Sequence, residues 1–145
     1  MSPQEVAERV RDGMYLNDTV AQFFGMQFLE IAPGYVKISM KIRPEMLNGF
    51  KICHGGMVTT LADTAFAYAC NSCNEQTVAS GLSMDFIAPS YENEVLVAEA
   101  KEVSQAGRTG VYDITVTKST GELIAVMRGK SYRIKGRPVV DIPTN

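Results

Sequence analysis

The run from Cys53 to Cys70 places the chain's only histidine, His54, and the pair Gly55-Gly56 directly before a long apolar segment. From Met57 to Cys70 that segment carries Met, Val, Leu, Ala, Phe and Tyr on most sides, and a helix of this kind has to be enclosed by the rest of the chain. Thr59, Thr60, Asp63, Thr64, Ala67 and Asn71 recur at spacings of three and four, so they form one narrow polar stripe along it. Asp63 is the only charge on the stripe. A carboxylate drawn out of water needs partners or a changed pKa, and two readings account for it. In one, Asp63 accepts hydrogen bonds from neighbouring threonine hydroxyls or from another chain and holds the helix in register. In the other it does chemistry. The helix start favours the second: two glycines admit close approach to the backbone, and the free amides of a first helical turn attract negative charge, including a developing oxyanion.

The flanking sequence supplies the enclosure. Ser2-Pro3-Gln4-Glu5 has the form of a capping box, with Val6, Val10, Met14 and Tyr15 at helical spacing behind it, and Asn17-Asp18-Thr19 caps a second short helix that stops at Gly25. Residues 1–25 are thus predicted as helices over a sheet edge. Strands are predicted over 26–32 and 35–42, the second alternating Val36, Ile38, Met40 and Ile42 with polar residues, and then over 77–87, 94–104, 109–118 and 122–134. Residues 136–145, with two prolines, read as a mobile tail. One long helix against five or six antiparallel strands means an α+β fold whose sheet wraps the helix.

Composition closes off several classes. With 46% hydrophobic and 21% charged residues in 145, one compact domain spanning 1–145 is expected. A net charge of −2, a pI near 5.4 and the lack of a basic run argue against nucleic acid as a partner. No apolar signal core opens the chain and no stretch reaches the roughly 18 apolar residues of a membrane span, so a cytoplasmic protein with no membrane partner is expected. Three cysteines fit free thiols. Cys70-Asn71-Ser72-Cys73 lacks the further ligands of a zinc site, so no metal is expected.

The segments Leu47-Asn48-Gly49, Cys53-His54-Gly55-Gly56 and Leu61 to Ser72 resemble the PaaI group of acyl-CoA thioesterases, which have the hotdog fold. Gly110-Val111-Tyr112-Asp113-Ile114 and Arg128-Gly129-Lys130-Ser131 add to the likeness. Departures from it lie at Phe50-Lys51-Ile52, around Ile87-Ala88-Pro89-Ser90 and in the tail. The resemblance implies hydrolysis of an acyl-CoA thioester without cofactor, in a homodimer that forms the active site and pairs again into a homotetramer. It implies Asp63 as nucleophile or general base and Gly55 or Gly56 as the oxyanion amide. Asn48 stands by the attack site, and His54 and Ser80 are auxiliary. Asp63 would face the His-Gly-Gly turn of the other subunit. The chemistry is self-consistent, because a thiolate leaves readily and a carboxylate with oxyanion donors suffices.

The same resemblance points to an aryl-acetyl group, phenylacetyl or hydroxyphenylacetyl, as the acyl part. Met46, Leu47, Phe50 and Met57 are the apolar residues expected to flank the site, with Asn17, Thr64 and Tyr68 as partners for a ring hydroxyl. Arg108, Arg128 and Lys130 are the cations expected to meet the phosphates of CoA. Two other readings compete: a hotdog hydratase or dehydratase in which His54 is the acid or base, and a non-catalytic acyl-CoA-binding module. For His54 itself the simplest role is a buried imidazole that donates to a backbone carbonyl and fixes the turn.

Overall fold

In the computed structural model, which describes residues 1–143, six antiparallel strands form one sheet in the order β1-β2-β4-β5-β6-β3. β1 (Gln27–Ala32) and β2 (Tyr35–Lys41) make the first hairpin, turning at Gly34. The helix α3 (Gly55–Asn71) follows, and then β3 (Thr77–Phe86), β4 (Val95–Ala106), β5 (Thr109–Lys118) and β6 (Leu123–Arg133). α3 packs against β2, β3, β4, β5 and β6, so the sheet curls around it. The helices α1 (Pro3–Asn17) and α2 (Thr19–Phe23) precede the sheet. Ser2 and Glu5 form the expected capping box of α1, Asp18 caps α2, and α1 rests on the edge strand β1.

The core follows from the alternation read in the sequence. Val36, Ile38, Met40 and Ile42 are all buried against α3, as are Leu96, Ala98 and Ala100 of β4 and Ile114 and Val116 of β5. Phe66 of α3 meets Tyr112 with ring centroids 5.5 Å apart, over Gly129. A Cβ at Gly129 would stand 2.8 Å from the Phe66 ring, so only glycine lets the helix come this close to β6. Asn71, expected on the polar stripe, is instead buried. Its side-chain amide donates to the carbonyls of Ala67 (2.8 Å) and Thr77 (3.0 Å) and accepts from the Thr77 N–H (2.8 Å), clamping the helix end to β3.

β3 is an edge strand whose one neighbour is β6. Its register shifts between Ala79 and Gly81, leaving Ser80 as the extra residue of a bulge. Beyond the bulge Leu82, Met84 and Phe86 stand opposite the buried Gly129, Met127 and Ala125, so they lie on the helix-facing side of the sheet. Leu82 (46%) and Phe86 (56%) are nevertheless exposed, since no strand lies beyond β3 to cover this edge of the sheet.

The stretch expected to be a mobile tail is tied down as far as Val140: Asn74 accepts from the Val139 and Val140 amides and donates to the Val140 carbonyl. Thr144 and Asn145 lie outside the described residues. No helix among the described residues is long and apolar enough to cross a membrane, and they hold no cluster of metal-ligating side chains; Cys53, Cys70 and Cys73 are free thiols.

Candidate active site

His54 is the N-cap of α3, and its role differs from the buried donor expected. The imidazole is exposed, and Nδ1 accepts the Gly56 N–H at 2.9 Å. Its backbone N–H donates to the Met46 carbonyl (2.8 Å), and its own carbonyl accepts from Met57 (2.9 Å) and Val58 (3.2 Å). Of the first-turn amides only Gly55 is left without an acceptor among the described residues. Of the pair Gly55-Gly56, Gly55 is thus the one whose amide is open to an incoming acceptor, since Gly56 is taken by the cap. A Cβ on Gly55 would meet the Phe86 ring at 3.0 Å, so glycine keeps this amide open.

The Gly55 amide borders a cavity of about 520 Å³ walled by Ile52, Val58, Phe86, Ile87, Ala88, Pro89 and Ile124, with Asn48, Cys53 and Ser90 as its polar members. Asn48 is held in an Asx turn: its Oδ1 accepts the Phe50 (2.9 Å) and Ile52 (3.4 Å) amides, which leaves the side-chain N–H₂ as the group free to donate. Ser90 is 2% exposed and its hydroxyl has no hydrogen-bond partner among the described residues. Beside it, Cys53 donates its backbone N–H to the Ser90 carbonyl at 2.7 Å, and burial pushes the Cys53 thiol pKa up, keeping it protonated.

The apolar residues expected here are elsewhere. Phe50 is 87% exposed, Met46 is in the core, and neither Leu47 nor Met57 lines the cavity. Tyr68 is buried at the other end of α3, its hydroxyl donating to Asp18 at 2.9 Å, and its burial beside that carboxylate drives its pKa up. Thr64 donates to the Thr60 carbonyl (2.7 Å), and Asn17 ends α1 beside the Asp18 cap; neither reaches the cavity. The wall comes from Ile52 and the Ile87–Ser90 segment, two places where the sequence departs from the family pattern. Those departures were the available signal.

Asp63 is exposed in the single chain and has no hydrogen-bond or ion-pair partner among the described residues. The neighbouring threonines do not serve it: Thr59 and Thr60 donate to the carbonyls of Gly55 and Gly56, both at 2.8 Å. The reading in which threonine hydroxyls satisfy Asp63 is thereby excluded. Desolvation by the apolar helix raises its pKa above the usual aspartate value. Asp63 lies eight residues beyond Gly55, ~12 Å along the axis at the helical rise, too far for the two to act on one carbonyl within a chain. Ser80, at the β3 bulge, is exposed.

The three cations expected to meet the CoA phosphates lie along one exposed face of β6, with Arg128 and Lys130 at alternate positions on the strand and Arg108 reaching Tyr132 beyond them. Arg128 is already engaged by Asp113 in a two-pronged pair (2.8 and 3.0 Å), which holds the Asp113 carboxyl below its usual range. Lys130 is exposed on β6 with no ion pair among the described residues. Arg108 sits in the β4–β5 turn, 3.3 Å from the Tyr132 hydroxyl.

The profile of the Thioesterase superfamily matches residues 50–125, which include α3 and the cavity wall. Acyl-coenzyme A thioesterase PaaI of Escherichia coli (strain K12) is 42% identical over 123 residues, 85% of this chain and 88% of that one. The chain belongs to the Thioesterase superfamily. Within it, the structure of the E. coli PaaI protein from the phenylacetic acid degradation operon superposes with a TM-score of 0.91 at 40% identity, covering 94% of this chain and 99% of that one. A variant of phenylacetic acid degradation protein PaaI from Thermus thermophilus gives a TM-score of 0.78 at 32% identity over 81% of this chain and 100% of that one. The sheet curled on α3 is the hotdog fold of these thioesterases.

Proposed function

We propose that this thioesterase hydrolyses the acyl-CoA esters of aryl-acetic acids, with a ring-hydroxylated phenylacetyl group as its preferred acyl part. The observation that carries the reading is the free Gly55 amide at the mouth of an apolar cavity that holds one buried, unpaired hydroxyl, Ser90. The thioester oxygen accepts from Gly55 N–H and from the free amide of Asn48, and the developing oxyanion is stabilised there. The ring enters the cavity among Val58, Phe86 and Ile124, and its hydroxyl pairs with Ser90. Asp63 comes from the partner subunit, since the Gly55 of its own chain is out of reach. It attacks the carbonyl carbon to give a mixed anhydride that water then cleaves to the free acid and the carboxylate, or it takes a proton from the attacking water; in both cases CoA departs as the thiolate. The open β3 edge and the bare Leu82 and Phe86 beside it support a two-fold homodimer in which each α3 presents Asp63 to the other's helix start. His54 accepts the Gly56 amide at Nδ1, so its proton sits on Nε2 and the ring has no free nitrogen to act as a base, which disfavours the dehydratase reading with His54 as base.

Specificity constants for phenylacetyl-, hydroxyphenylacetyl- and hexanoyl-CoA test this. The hydroxylated ring is expected to lead by about 10- to 100-fold, the worth of pairing a buried hydroxyl, and Ser90→Ala to erase that lead while leaving phenylacetyl-CoA turnover within a fewfold. A clear preference for hexanoyl-CoA overturns the aryl assignment.

A further inference from the structure

The Ile87–Ser90 wall of the cavity is held at both ends by groups outside it. At its start the Ile87 and Ala88 amides donate to the Ile124 carbonyl (2.8 and 3.2 Å), which fastens it to β6. At its end it leans on a lysine from another strand. Lys118, the last residue of β5, has a side chain only 12% exposed, and its ammonium meets Glu94 at 2.9 Å and Glu122 at 3.2 Å. The same ammonium stands 5.5 Å from the centre of the ring of Tyr91, the residue that follows Ser90.

Glu94 passes this contact on to the wall. Its Oε2 is held by Lys118, its Oε1 accepts the Tyr91 N–H at 2.6 Å, and its own N–H donates to the Tyr91 carbonyl at 3.1 Å. Asn93, at a φ of +71°, makes the turn between them and donates to the Ile42 carbonyl at 2.8 Å, while the Ile42 N–H donates to Glu94 at 2.9 Å. Ser90 is thus gripped on two sides, its carbonyl by the Cys53 N–H and the amide after it by Glu94. The pairing holds the Glu94 carboxyl below its usual range and lifts the Lys118 ammonium above its own, so both are charged at neutral pH. Without the ammonium, the carboxylates of Glu94 and Glu122 would face each other across the space it filled. Their repulsion turns Glu94 away, and the Tyr91 amide loses its acceptor.

We propose that Lys118 is a positioning residue for the acyl cavity: through Glu94 and Tyr91 it fixes the Ser90 hydroxyl where a ring hydroxyl pairs with it, and so sets the preference for hydroxylated rings. The proposal rests on the role given to Ser90 above. O–H···O bonds span only about 2.5–3.0 Å, so a small displacement of the Ser90 backbone is enough to break one. Lys118 does not itself wall the cavity. Its loss therefore changes which acyl group is favoured, and not how fast a thioester is cleaved.

Two measurements on the full chain test this in Lys118→Met, Lys118→Arg and Glu94→Ala. The first is the ratio of specificity constants for hydroxyphenylacetyl- and phenylacetyl-CoA. Lys118→Met is expected to lower it about tenfold, the worth of one buried hydrogen bond, with phenylacetyl-CoA turnover within a fewfold of the parent. Lys118→Arg keeps the charge and the ratio. Glu94→Ala removes the acceptor itself, gives the same fall, and carries the comparison should Lys118→Met fail to fold. In a Ser90→Ala background Lys118→Met has no further effect on the ratio, because the hydroxyl it positions is gone. The second measurement is amide hydrogen exchange at Cys53, whose N–H is bound to the Ser90 carbonyl. It is expected to speed by about tenfold in Lys118→Met and to keep the parent rate in Lys118→Arg. An unchanged ratio in Lys118→Met, an equal fall in the Ser90→Ala background, or a uniform loss on both esters overturns the proposal. A parent with no preference for the hydroxylated ring is instead the failure of the Ser90 reading. Cys53 exchange then decides the brace alone, and a parent-like rate in Lys118→Met overturns it.

Discussion

In the proposed mechanism Asp63 is the residue on which activity and pH dependence meet. It is reactive only as the carboxylate, so kcat/KM rises with pH as it ionises, and its raised pKa puts that acid limb above the ordinary aspartate range. Stability runs the opposite way. A carboxyl whose folded pKa exceeds its unfolded value favours the folded state fully below the unfolded value, and that contribution is lost as pH rises through the folded one. Asp63→Asn is therefore expected to cut turnover by about 10²- to 10⁴-fold, the usual weight of a general base. It also flattens the acid limb and leaves the melting temperature at neutral pH unchanged or higher. Turnover within tenfold of the parent would make Asp63 a structural residue. Its candidacy was legible from sequence because one charge stood alone on an apolar helix. Ser90 was not, since a serine after proline at a strand end has the composition of a turn, and only the folded wall shows that its hydroxyl is unpaired.

At the scale of elements, the clamp at Asn71 joins the helix that carries Asp63 to the strand that carries Phe86. Asn71→Ala removes the partners of two backbone groups of Thr77, and Thr77 is buried. Leaving them unpaired costs ~1–3 kcal/mol each, so urea unfolding should show a loss of about 2–5 kcal/mol at unchanged slope. A loss under 1 kcal/mol would mean that water or a shifted turn takes over. Alternation made β2 readable, with Val36, Ile38, Met40 and Ile42 marking one buried face. β3 was readable as a strand, but its faces were not: the bulge at Ser80 shifts the pattern by one, and Leu82 and Phe86 reach the inner face only through it. The cavity wall was misassigned for a related reason. Leu47, Phe50 and Met57 are near Gly55 in sequence, whereas Phe86 and Ile124 arrive there through strand pairing, which no local pattern records.

For the whole molecule, the separation of Asp63 from Gly55 means that the proposed mechanism requires a dimer. Leu82→Lys places a charge beside the open β3 edge without touching a buried core position, and is expected to yield monomers by sedimentation with thioesterase activity lost in step. Active monomers would return the entire site to one chain. The sheet order has a further result for how the protein is made. β3 leaves the ribosome before β4 and β5, yet its one neighbour is β6, the last strand to be synthesised. The hairpins from β1 to β5 can close on α3 while β3 waits with both edges open and its apolar residues bare. At ~5–20 residues per second that wait lasts seconds. A translational pause between Phe86 and Leu123 prolongs it, so codon choice over that interval should govern how much of the nascent chain is lost to aggregation before the sheet closes.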